Sequence, residues 1–206
     1  MTGAIYVIMD ESKRQNNYMI SILCTTNLQE LRFRLHKVLD DYRNSNGEVK
    51  YHGIPKDKRQ IVFSKLAKIF EEENLNCFVT GLHIDTNPPS DPYSAFAATT
   101  IGYILDWVSH KGMSKLVPPI YFIIDPTPSL DPDKFKEKAR IYAGDIRVND
   151  PPPNPTRDCE LWAADIMAGV LIDIFVNNHQ NMKGCFNKLR NNRHARDPIK
   201  NPIVWS

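Results

Sequence analysis

Two segments of the chain end alike: Ile5-Tyr6-Val7-Ile8-Met9-Asp10 and Ile120-Tyr121-Phe122-Ile123-Ile124-Asp125. Each is an apolar, β-branched run that closes on an aspartate, the pattern of a strand buried on both faces. In an α/β sheet, ligands gather outside the carboxyl ends of strands. If the two strands are parallel neighbours, about 5 Å apart, Asp10 and Asp125 emerge side by side. Carboxylates that close repel each other unless one takes up a proton or a cation sits between them. A hard divalent ion such as Mg²⁺ or Mn²⁺ meets that demand through oxygen ligands. For either aspartate alone the alternative is a turn former, and Asp125-Pro126 has that form.

Asp165 is the third acidic candidate. It stands within Leu161-Trp162-Ala163-Ala164-Asp165-Ile166-Met167-Ala168-Gly169, a helical stretch apolar nearly all round and therefore expected to be buried. Its neighbours one turn away, Leu161, Trp162, Ala168 and Gly169, offer a carboxylate no partner. A buried unpaired charge is costly, so a partner must come from elsewhere in the fold. That partner is either a metal shared with the strand-end aspartates or an Arg or Lys. Glu11 follows Asp10 and points to the opposite face in extended geometry unless the strand has already turned. In Glu48-Val49-Lys50-Tyr51-His52 the alternation puts Glu48, Lys50 and His52 on one side. That side offers a carboxylate ligand, a phosphate-binding ammonium and a proton-transfer group, or simply a solvated edge strand.

The elements that must position these groups follow from hydrophobic period. Ile5–Met9 and Tyr18–Thr26 read as a hairpin, with Asp10-Glu11-Ser12 ending the first strand and a polar turn at Lys13–Asn17. Helical spacing covers Leu28–Tyr42, Lys56–Glu73, Tyr93–His110, Asp131–Tyr142 and Arg157–Asn177. In the second of these, Ile61, Leu66, Ile69 and Phe70 are the inward candidates, and Asp131–Tyr142 is expected to be exposed. Further strands fall at Cys77–Ile84, Ile120–Ile124 and around Arg147–Asn149. Asn87–Pro92 and Pro151–Pro155 are loops, the latter too proline-rich for helix or central strand. Strands alternating with helices after a hairpin predict an α/β fold, a mixed β-sheet flanked by helices, over residues 1–178.

From 179 to 206 the chain reads as a basic tail of little periodicity. Between 181 and 200, Lys183, Lys188, Arg190, Arg193, Arg196 and Lys200 face only Asp197, a local excess of five positive charges. Such a patch neutralises phosphates and binds in a salt-dependent way, or else is a solvated surface. Ile203-Val204-Trp205 is expected to pack back onto the domain.

Composition excludes several classes. The 206 residues, 42% hydrophobic and 24% charged, suit one globular domain. A net charge of +2 is too small for whole-molecule attraction to nucleic acid, so any basic surface must be local. The cysteines stand singly at Cys24, Cys77, Cys159 and Cys185, without a CxxC pair, which argues against structural zinc. Cys24 and Cys77 fall in strand-like runs and read as small core residues. The apolar stretch Leu161–Val176 contains Asp165 and Asp173, too short and too charged to span a membrane. The N-terminus shows no signal pattern, so the cytoplasm is the expected location. No GxxxxGK[ST] loop and no GxSxG elbow occurs, which argues against P-loop and serine-hydrolase chemistry.

Three motifs carry a resemblance. Asp10-Glu11-Ser12 after the first strand resembles the opening DES motif of domain-of-unknown-function family 3800 (DUF3800). Glu48-Val49-Lys50 resembles its E-x-K segment. Leu161-Trp162-Ala163-Ala164-Asp165 followed by Ala168-Gly169 resembles its LQLAD-x-x-AG helix. The likeness runs in order from Ile5 to Phe175. Trp162 departs from it, standing where the family usually has Gln, and the prolines at 151–155 interrupt it before the helix. The family's pattern is similar to the ribonuclease H-like fold of resolvases, transposases and integrases. That fold carries acids on its first strand, its fourth strand and a late helix, the places of Asp10, Asp125 and Asp165. The resemblance implies a metal-dependent nuclease acting on DNA or RNA. Asp10 would bridge two Mg²⁺ or Mn²⁺ ions about 3.5–4 Å apart. Asp125 and Asp165 would complete their shells with Glu11 or Glu48. Lys50 would hold the phosphate and His52 would shuttle a proton. Alternatives are a nucleic-acid-binding or accessory module of the same fold without turnover, and a metal-dependent phosphatase or phosphotransferase acting on small substrates.

Overall fold

The structure, a computed structural model, describes residues 3–85, 88–110, 119–141 and 143–202. In chain order the elements are β1 (Ile5–Arg14), β2 (Asn17–Thr25), α1 (Leu28–Leu39), α2 (Lys56–Phe70), β3 (Phe78–Ile84) and α3 (Pro92–Ala95). There follow α4 (Ala97–His110), β4 (Ile120–Ile124), α5 (Pro132–Arg140), β5 (Ile146–Val148), α6 (Cys159–Phe175), α7 (Gln180–Asn191) and β6 (Ile199–Lys200). The mixed sheet has the order β5-β4-β1-β2-β3-β6. β2 runs antiparallel to both β1 and β3, while β1–β4, β4–β5 and β3–β6 are parallel. Among the described residues no helix is long and apolar enough to cross a membrane.

Strand alternation assigns the two faces. Ile5, Val7 and Met9 of β1 join Ile20, Ile22, Phe122 and Ile124 in a core closed by Tyr93 of α3, Ile101 and Trp107 of α4 and Phe135 of α5. Ile8, Met19, Leu23 and Val79 point the other way, under α1, α2, α6 and α7. The protein is thus a sheet with helices on both faces, as α/β periodicity requires. α6 lies directly across β1 and β2. Gly81 of β3 leaves room for its neighbours, since a Cβ there would stand 2.7 Å from the Ile20 carbonyl of β2 and 3.0 Å from Leu171 of α6.

Several expectations need correction. β1 does not stop at Asp10. It runs on to Arg14 because Ser12, Lys13 and Arg14 pair with Met19, Tyr18 and Asn17 across a tight turn whose Gln15 has φ 54°. The predicted Tyr93–His110 helix breaks at Phe96 into α3 and α4. Ile61, expected inside, is 54% exposed, and Val62 and Phe63 take the inward places. α5 is not a wholly exposed helix: Phe135 and Ala139 are buried, and the Phe135 ring packs edge-on to Phe122 at 4.8 Å. Residues after Asn178 do not form a structureless tail. α7 buries Met182, Phe186 and Leu189, a period hidden by the polar residues between them. Asn87, Tyr142 and the apolar end Ile203-Val204-Trp205 lie outside the described residues.

Candidate functional site

Register brings Asp10 and Asp125 together. Tyr6 pairs with Tyr121, Ile8 with Ile123 and Met9 with Ile124, so Asp10 and Asp125 follow as the next parallel pair. The Asp125 N–H donates to the Met9 carbonyl at 3.4 Å, and the Asn149 side chain brackets Ile124 with hydrogen bonds of 2.8 and 3.1 Å. Both aspartates share the face of Ile8 and Ile123, the face α6 covers. α6 is docked there by Ser21, opposite Asp10, whose hydroxyl donates to the Ala164 carbonyl at 2.8 Å. Asp165 is the next residue, so its carboxylate enters the same corner of the molecule.

Burial and repulsion then set the electrostatics. Asp10 is 4% exposed; its Oδ1 accepts from the Glu11 N–H at 2.7 Å, and its Oδ2 is buried with no hydrogen-bond partner among the described residues. Desolvation, followed by the charges of Asp165 and Asp125, pushes its pKa well above the ordinary carboxylate range. Burial likewise raises Asp165, partly offset by the Tyr51 N–H, which donates to Oδ2 at 2.5 Å, and by the charge of Lys50. The Lys50 ammonium donates to Asp125 Oδ2 at 3.2 Å. Burial works against that ammonium, but Asp10, Asp125 and Asp165 outweigh it and its pKa rises. One lysine thus compensates a trio of acids.

The partner of Asp165 is therefore a backbone N–H and a lysine, supplied by the segment before α2. That segment is not the extended strand expected from alternation. Tyr51–Gly53 is a 3-10 turn, which separates Lys50 from His52. Lys50 reaches the acids. His52 is exposed but close enough for its charge to act on Asp165. Glu48 is held by its backbone in a turn with Asn44, its N–H on Asn44 Oδ1 at 3.1 Å. Glu11 belongs to the other face, as a strand that continues past Asp10 dictates. Its carboxylate accepts from the Tyr93 hydroxyl and, at 3.1 Å, from Thr127.

Sequence reading missed Tyr51, Asp173 and Arg14. The Tyr51 ring lies against Gly169, where a Cβ would come within 2.1 Å of it, and its hydroxyl donates to Asp173. Asp173 also binds Arg14 at 2.9 Å and Asn177 at 2.7 Å. Beside this cluster is a cleft of about 330 Å³ whose walls include Arg14, Lys56, Arg59 and His179. The signals were present: Asp173 lies eight residues, just over two turns, from Asp165, and Arg14 shares the strand face of Asp10. Trp162 does not enter the acidic site. Its indole N–H donates to the Pro155 carbonyl at 2.6 Å and ties down the proline loop. Among the basic residues near the C-terminus, Arg190 pairs with Asp197, Arg196 with Asp106 and Lys200 with Asp85. β6 and its neighbours sit at the opposite sheet edge from β4.

The donor set suits a hard divalent ion in kind: carboxylate oxygens, one of them buried and unpartnered. It is not a ready-made shell, because among the described residues no three His, Cys, Asp or Glu side chains converge closely enough to hold an ion. The chain matches no protein-family model and no curated protein.

Proposed function

We propose that this protein is a metal-dependent nuclease of ribonuclease H-like, DUF3800-type architecture, with Asp10, Asp125 and Asp165 as its acidic residues. The observation that carries the reading is the Asp10 carboxylate, buried, short of one hydrogen bond, and beside two further acids that a single lysine compensates. Asp10, Asp125 and Asp165 would hold Mg²⁺ or Mn²⁺, which supplies an activated water and charge stabilisation at the phosphate. The ion adds positive charge that Lys50 alone does not provide. Lys50, released from Asp125, would orient a phosphate oxygen, and His52 would carry a proton between the site and solvent. Glu11 has no part in this scheme. In the cleft beside this cluster Arg14 is paired with Asp173, but Lys56 and Arg59 add positive charge beyond the acidic residues, which favours a phosphate-bearing chain over a small phosphomonoester.

Purified protein should cleave DNA or RNA with Mn²⁺ and not with EDTA. Asp10→Asn should abolish cleavage and Mn²⁺ binding together. Equal Mn²⁺ affinity in the two proteins would reject the site. Nucleic-acid binding without metal-dependent cleavage would favour an accessory module instead.

A further inference from the structure

Arg14 of β1, Lys56 and Arg59 of α2 and His179 before α7 line the cleft of about 330 Å³ beside Tyr51. Its one acid, Asp173, is offset by Arg14 at 2.9 Å and held further by Asn177 and the Tyr51 hydroxyl. Two cations are left over. Arg59 is fixed in place, its Nε–H on the Ile54 carbonyl at 3.1 Å and its guanidinium 4.4 Å from the centre of the Tyr51 ring. Neither Arg59 nor Lys56 makes an ion pair among the described residues. α2 begins at Lys56 and α7 at Gln180, next to His179, and neither start carries a side-chain cap. The positive ends of both helices therefore add to the field of the side chains. An anion entering here meets positive charge that the fold has ordered and left uncompensated.

The cleft also stands at a set distance from the acids. Arg14 follows Asp10 by four residues on β1. Alternation keeps both on one face, about 13 Å apart at roughly 3.3 Å per residue. Asp173 follows Asp165 by eight residues on α6, about 12 Å along a helix that rises roughly 1.5 Å per residue. Tyr51 joins the two places, its N–H on Asp165 and its hydroxyl on Asp173. Strand, helix and bridging side chain thus fix the spacing between a negative pole at the acids and a positive pole at the cleft. A stacked nucleic-acid strand carries one phosphate per roughly 3.4 Å of axis. With one phosphate at the acids, such a strand brings another, about four nucleotides away, to the cleft, and a stretched strand one about two away. A lone phosphate can occupy only one pole.

We infer that the cleft of Arg14, Lys56 and Arg59 holds a non-scissile phosphate of a nucleic-acid strand and so fixes where that strand lies on the acidic residues. The inference rests on the nuclease reading and deepens it: the substrate is a polynucleotide that extends about two to four nucleotides from the cut towards α7.

The test begins with binding in EDTA, so that no metal chemistry contributes, read by fluorescence anisotropy of labelled DNA and RNA oligonucleotides. Lys56→Glu puts a negative charge in the cleft at a helix start, where an acid suits the fold. Lys65→Glu makes the same charge change further along α2, at an exposed position outside the cleft. Lys56→Glu should weaken binding by roughly tenfold or more, the worth of one charge-assisted hydrogen bond, while Lys65→Glu should bind nearly as wild type does. Unchanged affinity in Lys56→Glu, or equal losses in the two variants, overturns the inference. Inorganic phosphate should displace the strand no better than its ionic strength predicts. Displacement by micromolar phosphate would mean a site for the free anion and would overturn it too. With Mn²⁺, kcat/KM on oligonucleotides of increasing length should rise in a step once the strand spans both poles, and Lys56→Glu should lose the step. A step that Lys56→Glu retains overturns the spacing. The two readings fail separately. Binding lost only in Lys56→Glu, with no cleavage by any protein, removes the nuclease and leaves the cleft, whereas cleavage equal to wild type at every length in Lys56→Glu removes the cleft and leaves the acids.

Discussion

Asp10 is the residue on which charge, burial and hydrogen bonding disagree most. Folding raises its pKa, so the folded chain holds the proton more tightly than the unfolded one. Ionisation therefore costs stability as pH rises above the ordinary carboxylate value of about 4, and the cost disappears below it. Asp10→Asn should accordingly raise the melting temperature of metal-free protein at pH 7, and leave it nearly unchanged at pH 4. A lower melting temperature at pH 7 would mean that the carboxylate is already compensated. Mn²⁺ should stabilise wild type and not this variant, because an ion that binds only the folded state shifts unfolding by mass action. Lys50 has the opposite sign. Its raised pKa means that its contribution is fully present below about 10 and fades only above that. Lys50→Met should thus destabilise the protein, more at pH 8 than at pH 5, since at the lower pH the acids it compensates are closer to protonation. A pH-independent loss would assign Lys50 a packing role alone.

At the scale of elements, the turn before α2 and the middle of α6 are one device. Tyr51 uses its N–H on Asp165 and its hydroxyl on Asp173, and its ring needs the missing Cβ of Gly169. Gly169→Ala should push this turn away from α6 and cost about 1–3 kcal/mol, the usual penalty for overpacking. Urea unfolding would measure the cost. Activity should fall further than stability alone explains, because Lys50 is carried on the same turn. Tyr51→Phe should keep the packing and leave Asp173 with Arg14 and Asn177, and so should be milder. A Gly169→Ala protein as active and stable as wild type would show that the turn is not held against α6. The cationic cleft makes a separate prediction. On the proposed nuclease reading, Lys56→Ala should weaken nucleic-acid binding about equally for all sequences and reduce the slope of log affinity against log salt by about 1.

For the molecule as a whole, α7 changes what can be tested. Met182, Phe186 and Leu189 sit in the same core as α2 and α6. Deleting the chain from Gln180 would strip that core, so charge-removing substitutions are the sound way to examine the basic residues. Leu189→Ala should cost about 2–5 kcal/mol, as a cavity in a packed core does. A near-zero cost by urea titration would mean that α7 is only loosely attached. Arg190, Arg196 and Lys200 are engaged in ion pairs at the sheet edge remote from β4. Such exposed pairs are individually weak, yet they use up charge that the sequence counts as free.

The amino-acid order determined where apolar strand runs give way to aspartates, where the long apolar helix runs, and that helices alternate with a mixed sheet, because hydrophobic period is a local property of the chain. It also marked Asp10, Asp125 and Asp165, since an acid at the end of a buried strand or within an apolar helix is conspicuous without any coordinates. Only tertiary structure decided which groups meet. Parallel register put Asp10 beside Asp125 and Tyr6 on Tyr121, a fact that exists only once β1 and β4 pair. Continuation of β1 beyond its apolar run turned Glu11 to the opposite face, because cross-strand hydrogen bonds, not hydrophobicity, set its end. The cation that answers the buried acids proved to be Lys50, brought from a distant turn, and no local pattern could foretell that contact.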